Sequence, residues 1–118
     1  MYDLPKDVDL NFLKGRQLEL LCFAPYSLTL HFERGTRIQI EGSFKHSVDG
    51  KAGSSKTFPL ASTHLTRLLS QTIVKVSVKP DGGLSLAFSN GDLFAIEGNV
   101  GPYESYQVQA PDRDLIVV

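Results

Sequence analysis

The 118-residue sequence has no tryptophan, one methionine and one cysteine. A single cysteine, Cys22, excludes an intramolecular disulfide and any cysteine-rich zinc motif. There is no excess of basic residues. Twelve Lys and Arg stand against thirteen Asp and Glu, for a formal net charge of −1. No charge surplus is therefore available to neutralise phosphates, and nucleic acid is not an expected partner. No apolar run reaches the ~18 residues that cross a bilayer as a helix, so no membrane span is expected. Met1 to Leu13 lacks the basic start and continuous apolar stretch of a signal peptide, and a cytoplasmic location is the expectation.

Apolar residues make up 42% and charged residues 21%, as in ordinary globular chains. The length fits one domain over 1–118, large enough to bury a core without metals or disulfides.

Sliding the chain on itself by 56 residues lays Ser27–Gly42 on Gly83–Gly98. Leu28/Leu84, Leu30/Leu86, Phe32/Phe88, Gly35/Gly91, Ile40/Ile96, Glu41/Glu97 and Gly42/Gly98 are identical pairs. Extended upstream, the same offset lays Leu18, Leu20 and Cys22 on Val74, Val76 and Val78, so an internal repeat 18–42/74–98 is read. Each copy alternates with period two through three strands: about 18–23, 27–33 and 36–41, then 73–79, 83–89 and 92–97. Asn90-Gly91 is a strong hairpin signal, both residues tolerating positive φ. Tyr106–Gln109 and Leu115–Val118 read as a last hairpin that covers a sheet edge.

The expected fold is mainly β, or α+β. Two pseudo-symmetric three-stranded antiparallel meanders pack as a sandwich or a partly closed barrel. A C-terminal hairpin and one short helix over about 62–71 complete it. Leu65, Leu68 and Leu69 form the apolar face of that helix, Pro59 precedes it, and Ser62 or Thr63 caps it. Asp9–Gly15 reads as one more helical turn stopped by Gly15. Lys45–Thr57 reads as a mobile loop, with a hairpin tip at Asp49-Gly50.

No catalytic constellation, metal site or cofactor motif emerges. Glu41 and Glu97 are repeat mates that a pseudo-dyad brings together as paired carboxylates, the plainer reading being two strand-end glutamates. The glycine after each marks a candidate bulge. His31, His46 and His64 show no HxH or HxxxH spacing and read as solvated or singly hydrogen-bonded imidazoles. Cys22 alternates with Leu18 and Leu20 and reads as core. No Gly-x-Ser-x-Gly elbow occurs, and Gly50–Lys56 fails the phosphate-loop spacing. Tyr26, Tyr103 and Tyr106 line a groove or partner surface, or else cap the ends of the core.

Gly15-Arg16, Tyr26-x-Leu28-x-Leu30-x-Phe32 and Ile38-x-Ile40-Glu41-Gly42 together resemble the pattern of a family of small bacterial proteins of unknown function. The resemblance covers most of the chain and implies a bacterial, cytosolic, β-rich domain. It brings no activity, cofactor or catalytic residue. Two functions follow. The first is a non-enzymatic binding module that takes a protein partner or forms a homodimer through an edge strand. The alternative is a small-ligand binder or enzyme with a site between the repeats, built from Glu41, Glu97, His31 and the tyrosines.

Overall fold

A computed structural model describes residues 9–48, 50–58, 60, 63–98, 105–111 and 113–118. Nine strands are described: β1 Leu18–Ala24, β2 Ser27–Phe32, β3 Arg37–Ile40, β4 Phe44–Ser47, β5 Ile73–Val78, β6 Leu84–Phe88, β7 Leu93–Ile96, β8 Tyr106–Gln109 and β9 Ile116–Val117. They form two antiparallel sheets, ordered β1-β2-β3-β8-β9 and β4-β7-β6-β5. The sheets pack face to face as a sandwich and do not close into a barrel. Leu28, Leu30, Phe32, Ile38 and Ile40 from one sheet meet Leu84, Leu86, Phe88, Phe94 and Ile96 from the other. All ten are essentially inaccessible, and each contributes about 1.5–3 kcal/mol by leaving water.

The two meanders pair alike. Leu28↔Ile40 and Leu30↔Ile38 in the first sheet correspond to Leu84↔Ile96 and Leu86↔Phe94 in the second, 56 residues on. Upstream the offset is 55, a correction to the sequence alignment. Leu18 pairs with Phe32, and Ile73, not Val74, pairs with Phe88. The reason is the longer Lys79–Gly83 turn, where Lys79 N donates to Gly83 O at 2.8 Å and Gly82 holds φ +90°. The 55-residue offset reaches back to the 3-10 turns Asn11–Leu13 and Leu65–Leu68, whose Leu13 and Leu68 are buried alike. Between the meanders, Gly15 N donates to Ile73 O and Ser70 N donates to Leu18 O, each at 2.8 Å. These two bonds correspond to one another at the 55-residue offset.

Each unit gives its fourth strand away. β4 follows β3 in the chain but pairs with β7, while β8 follows β7 but pairs with β3. β9 then extends the first sheet beyond β8, as the hairpin signal predicts. β4 falls inside the stretch that the sequence presents as a loop. Its residues are Phe-Lys-His-Ser, where polar side chains dilute the strand signal. The tip around Gly50 does turn as expected, with Val48 and Lys51 exchanging backbone bonds of 3.1 and 2.9 Å.

Cys22 is exposed, contrary to its expected place in the core. The cause is a β-bulge. Leu18 pairs with Phe32 but Leu20 pairs with His31, so Glu19 is an extra residue in β1. One inserted residue flips every later side chain to the other face. Leu20 and Cys22 therefore point outward, and Leu21 packs against the core.

The short helix expected over 62–71 is a single 3-10 turn, Leu65–Leu68; Pro59 and Ser62 lie outside the described residues. Leu69 is already extended and Ser70 sits at φ +66°, which ends the turn so that Gln71 can meet Leu18. The N-cap position is held by His64 with no side-chain cap bond, not by Ser62 or Thr63; Thr63 Oγ1 accepts from the Leu65 N–H at 2.8 Å as a local turn.

The glycines that close the shared Ile-Glu-Gly mark close approaches and not bulges. A Cβ on Gly98 would lie 2.6 Å from Gly83 N, and one on Gly42 3.2 Å from Ser105 Cα. At Asn90-Gly91 only Gly91 takes positive φ, at +91°, whereas the first-unit turn holds both Arg34 (+62°) and Gly35 (+69°) there.

Candidate functional site

The densest polar arrangement lies at one end of the second sheet. Asp92 immediately precedes β7, the last strand of the meander, and its side chain is 0% accessible. Burial of a carboxylate requires partners, because the ionised group loses its hydration. Arg67 supplies two, Nε donating to Oδ2 and Nη2 to Oδ1, each at 3.0 Å. His46 supplies a third, its Nε2 lying 2.8 Å from Oδ2. A carboxylate oxygen only accepts, so this bond places the imidazole proton on Nε2. The hairpin fixes the acid from behind: Asp92 N donates to Asn90 Oδ1 at 3.0 Å, and Asn90 Nδ2 donates to Arg67 O at 3.1 Å.

His46 belongs to this cluster because β4 pairs with β7. His46 faces Phe94, and Phe44 two residues earlier is core, so His46 points inward with 7% of its side chain accessible. Beside it opens a cavity of about 270 Å³ lined by His46, Lys51, Ser54, Lys56, Thr63 and His64, with Phe44 among its apolar lining. Gly53 makes this possible. A Cβ there would stand 2.4 Å from His46 O, so only glycine lets the return segment lie against β4. Phe44 and Lys56 exchange backbone bonds of 3.1 and 2.7 Å, closing that segment.

The residues singled out from sequence fall in separate places. Glu41 is exposed past the end of β3, its backbone N–H donating to Ser105 O at 3.0 Å. Glu97 ends β7 and accepts from Ser55 Oγ at 2.8 Å, pinning the segment that carries Lys56. No hydrogen bond joins the two glutamates among the described residues. His31 lies on the outer face of the first sheet, in register with Leu20 and Arg37. There it lines an open recess of about 510 Å³ with Arg37, Gln109 and Arg113. Arg37 Nε donates to Gln109 Oε1 at 2.8 Å, and Arg113 stacks 4.0 Å over the Phe12 ring.

Tyr26 is 71% exposed in the β1–β2 turn. Tyr103 lies outside the described residues. Tyr106 is fully buried, and its hydroxyl donates to Gly82 O at 2.7 Å, tying β8 to the turn of the opposite sheet. Burial, with the nearby Asp81 charge, raises the phenol well above its ordinary range. Asp92, Arg67 and His46 were not legible as a site. An Asp after Asn-Gly reads as turn chemistry, and the three segments are distant in sequence.

No hydroxyl or thiol hydrogen-bonds His46 among the described residues. No group of three or more His, Cys, Asp or Glu placed to hold a metal occurs among them either. No helix of the described residues is long and apolar enough to cross a membrane.

A second surface feature is the set of sheet edges. β9 is two residues long, β4 is flanked by the Gly53–Lys56 segment, and β5 carries the exposed Lys75 with Lys79 next to it. Short length, cover and lysine are the usual protections of an edge. β1 is seven residues long, carries Glu19 as its one charge and has no cover beyond Leu18 among the described residues; the bulge at Glu19 is its one such protection.

A family model described as a family of unknown function, DUF6188, matches residues 10–118. The match begins at Leu10, the first buried residue described, and the chain belongs to this family. No curated protein and no solved structure matches the chain.

Proposed function

We propose that this member of the family is a non-enzymatic binding module whose contact element is strand β1, and that its partner is a second copy of the same chain. The observation that carries the reading is the uncovered edge. Beyond Leu18, the outer side of β1 has no backbone partner among the described residues. Leu20 (52%), Phe23 (53%) and Tyr26 (71%) stand exposed along or beside it. A largely apolar edge of this length is a template for strand addition.

Antiparallel pairing of β1 with β1 about Leu21 suits self-association. Leu20 then stands opposite Cys22 of the second copy, and Glu19 opposite Phe23, so no like charges face each other. Two five-stranded sheets become one continuous sheet. The pairings offset by 56 and the exchanged fourth strands support an origin by duplication of a four-strand unit. The exposed free thiol of Cys22 fits a reducing, cytoplasmic setting, as in the bacterial cytosol.

Sedimentation velocity across a concentration series tests the reading. The native chain sediments as a dimer, and Leu20→Lys sediments as a monomer with unchanged circular dichroism. Leu20→Cys, which sets two thiols opposite Cys22 of the second copy, gives a disulfide-linked dimer on mild oxidation. A native chain that stays monomeric at its highest soluble concentration overturns the reading.

A further inference from the structure

The cavity beside His46 has a chemistry of its own, independent of β1. Its polar lining residues are Lys51, Lys56, His46, His64, Ser54 and Thr63. His46 gives its Nε2–H to Asp92; each of the other five can donate a hydrogen bond, and no carboxylate lines the cavity among the described residues. Neither lysine has an ion-pair partner among the described residues. Asp92, the one buried acid nearby, is consumed by Arg67 and His46. It balances the arginine and leaves the lysines uncompensated.

The backbone that carries the lysines is held in place. Lys56 is fastened by two backbone bonds to Phe44, the neighbouring Ser55 by its hydroxyl to Glu97, and Lys51 by two backbone bonds to Val48. Gly53 lies against the His46 carbonyl between them. A backbone ordered before a ligand arrives loses less entropy on binding it. His46 is held by its bond to Asp92, which uses its Nε2–H, so it shapes the cavity wall and donates nothing to a ligand. Phe44, stacked on Phe94 with centroids 4.9 Å apart, is fully buried, and the half-buried Val48 offers the apolar surface of the cavity.

We infer that this cavity binds a small oxyanion, a carboxylate or phosphate carried on a small apolar body. The volume of about 270 Å³ lies just below the ~300–1,000 Å³ typical of drug-sized sites, which limits the body to roughly one ring or short chain. The anion is met by Lys51 and Lys56 and the body rests on Val48. Charge-assisted bonds of this kind are about twice as strong as neutral ones, so the neutral isostere of a bound acid is rejected.

Two-dimensional NMR titration of the full chain with benzoate, with its neutral counterpart benzamide and with inorganic phosphate tests the site. Benzoate is expected to give saturable shifts at the Lys51, Gly53 and Lys56 amides and at the His46 and His64 imidazoles. Benzamide gives none, and phosphate shifts the same amides more weakly because it leaves Val48 uncovered. Lys51→Gln with Lys56→Gln lowers benzoate affinity at least tenfold while the rest of the spectrum, and hence the fold, is retained. His64→Gln lowers it severalfold. The inference is overturned if benzamide shifts these signals as benzoate does. It is also overturned if benzoate shifts are linear or scattered over the surface, or if the double lysine variant binds benzoate unchanged. The oligomeric state of the chain enters none of these outcomes.

Discussion

Phe12, Thr36 and Val108 hold in the first unit the positions that Arg67, Asp92 and His46 hold in the second. The 3-10 turns Asn11–Leu13 and Leu65–Leu68 place Phe12 on Arg67. The hairpins place Thr36 on Asp92, each carbonyl accepting from the Phe that ends the preceding strand, at 2.7 Å from Phe32 N and 2.9 Å from Phe88 N. The fourth strands place Val108, opposite Ile38, on His46, opposite Phe94. One backbone thus carries two chemistries. Thr36 is buried with its hydroxyl unpartnered, whereas Asp92 gathers an arginine and a histidine. The lesson is that the buried turn position is fixed by the hairpin, and its side chain varies only together with the two neighbours that satisfy it.

The largest effect should come from breaking this set one member at a time. Asp92→Thr copies the first unit at one position and leaves Arg67 and His46 without their acid. It should cost about 3–5 kcal/mol in urea denaturation. Copying all three positions, with Arg67→Phe, Asp92→Thr and His46→Val, should come out between neutral and about 4 kcal/mol more stable than the native chain. A triple variant as unstable as Asp92→Thr alone would show that the two corners are not interchangeable.

A smaller effect separates Tyr106 from its counterpart Phe44, which faces Ile96 as Tyr106 faces Ile40. Tyr106→Phe removes the bond to the buried Gly82 carbonyl and should cost about 1–3 kcal/mol. The phenol also adds a pH dependence. Its folded-state pKa lies above the unfolded value of about 10, so its contribution is complete below that pH and is lost as pH rises past it. Native protein should therefore lose stability at alkaline pH more steeply than Tyr106→Phe, as thermal melts at successive pH values would show.

The smallest effect concerns the two hairpin turns. Arg34 stands at φ +62° while its counterpart Asn90 does not take positive φ. Arg34→Gly should stabilise by about 0.5 kcal/mol, the strain relieved less the entropy of glycine. Asn90→Gly should destabilise, since it removes bonds to Asp92 and Arg67. Equal melting shifts for the two would contradict the difference between the turns.

Most of the fold was legible. Alternation located six of the nine strands to within a residue or two, and the C-terminal hairpin followed from two short apolar runs around a turn. β4 was hidden because it is half polar, and the helix because leucine spacing alone does not distinguish a helix from one 3-10 turn. The candidate site was not legible. Its members lie on β4, the 3-10 turn and β7, and nothing in the spacing of His46, Arg67 and Asp92 links them. Glu41, Glu97 and His31 stood out as repeat mates or lone titratable groups, but the fold brings none of them to that cluster.

By itself the sequence determined where the chain extends and where it turns, because period-two patterning and glycine geometry are local properties. It also determined the likeness of the two meanders. Only the tertiary structure decided that β1 turns Cys22 outward, that the fourth strands change sheets and that Asp92 is buried between Arg67 and His46. A bulge is defined against its partner strand, sheet membership by pairings dozens of residues apart, and a buried carboxylate is tolerable only where distant donors converge.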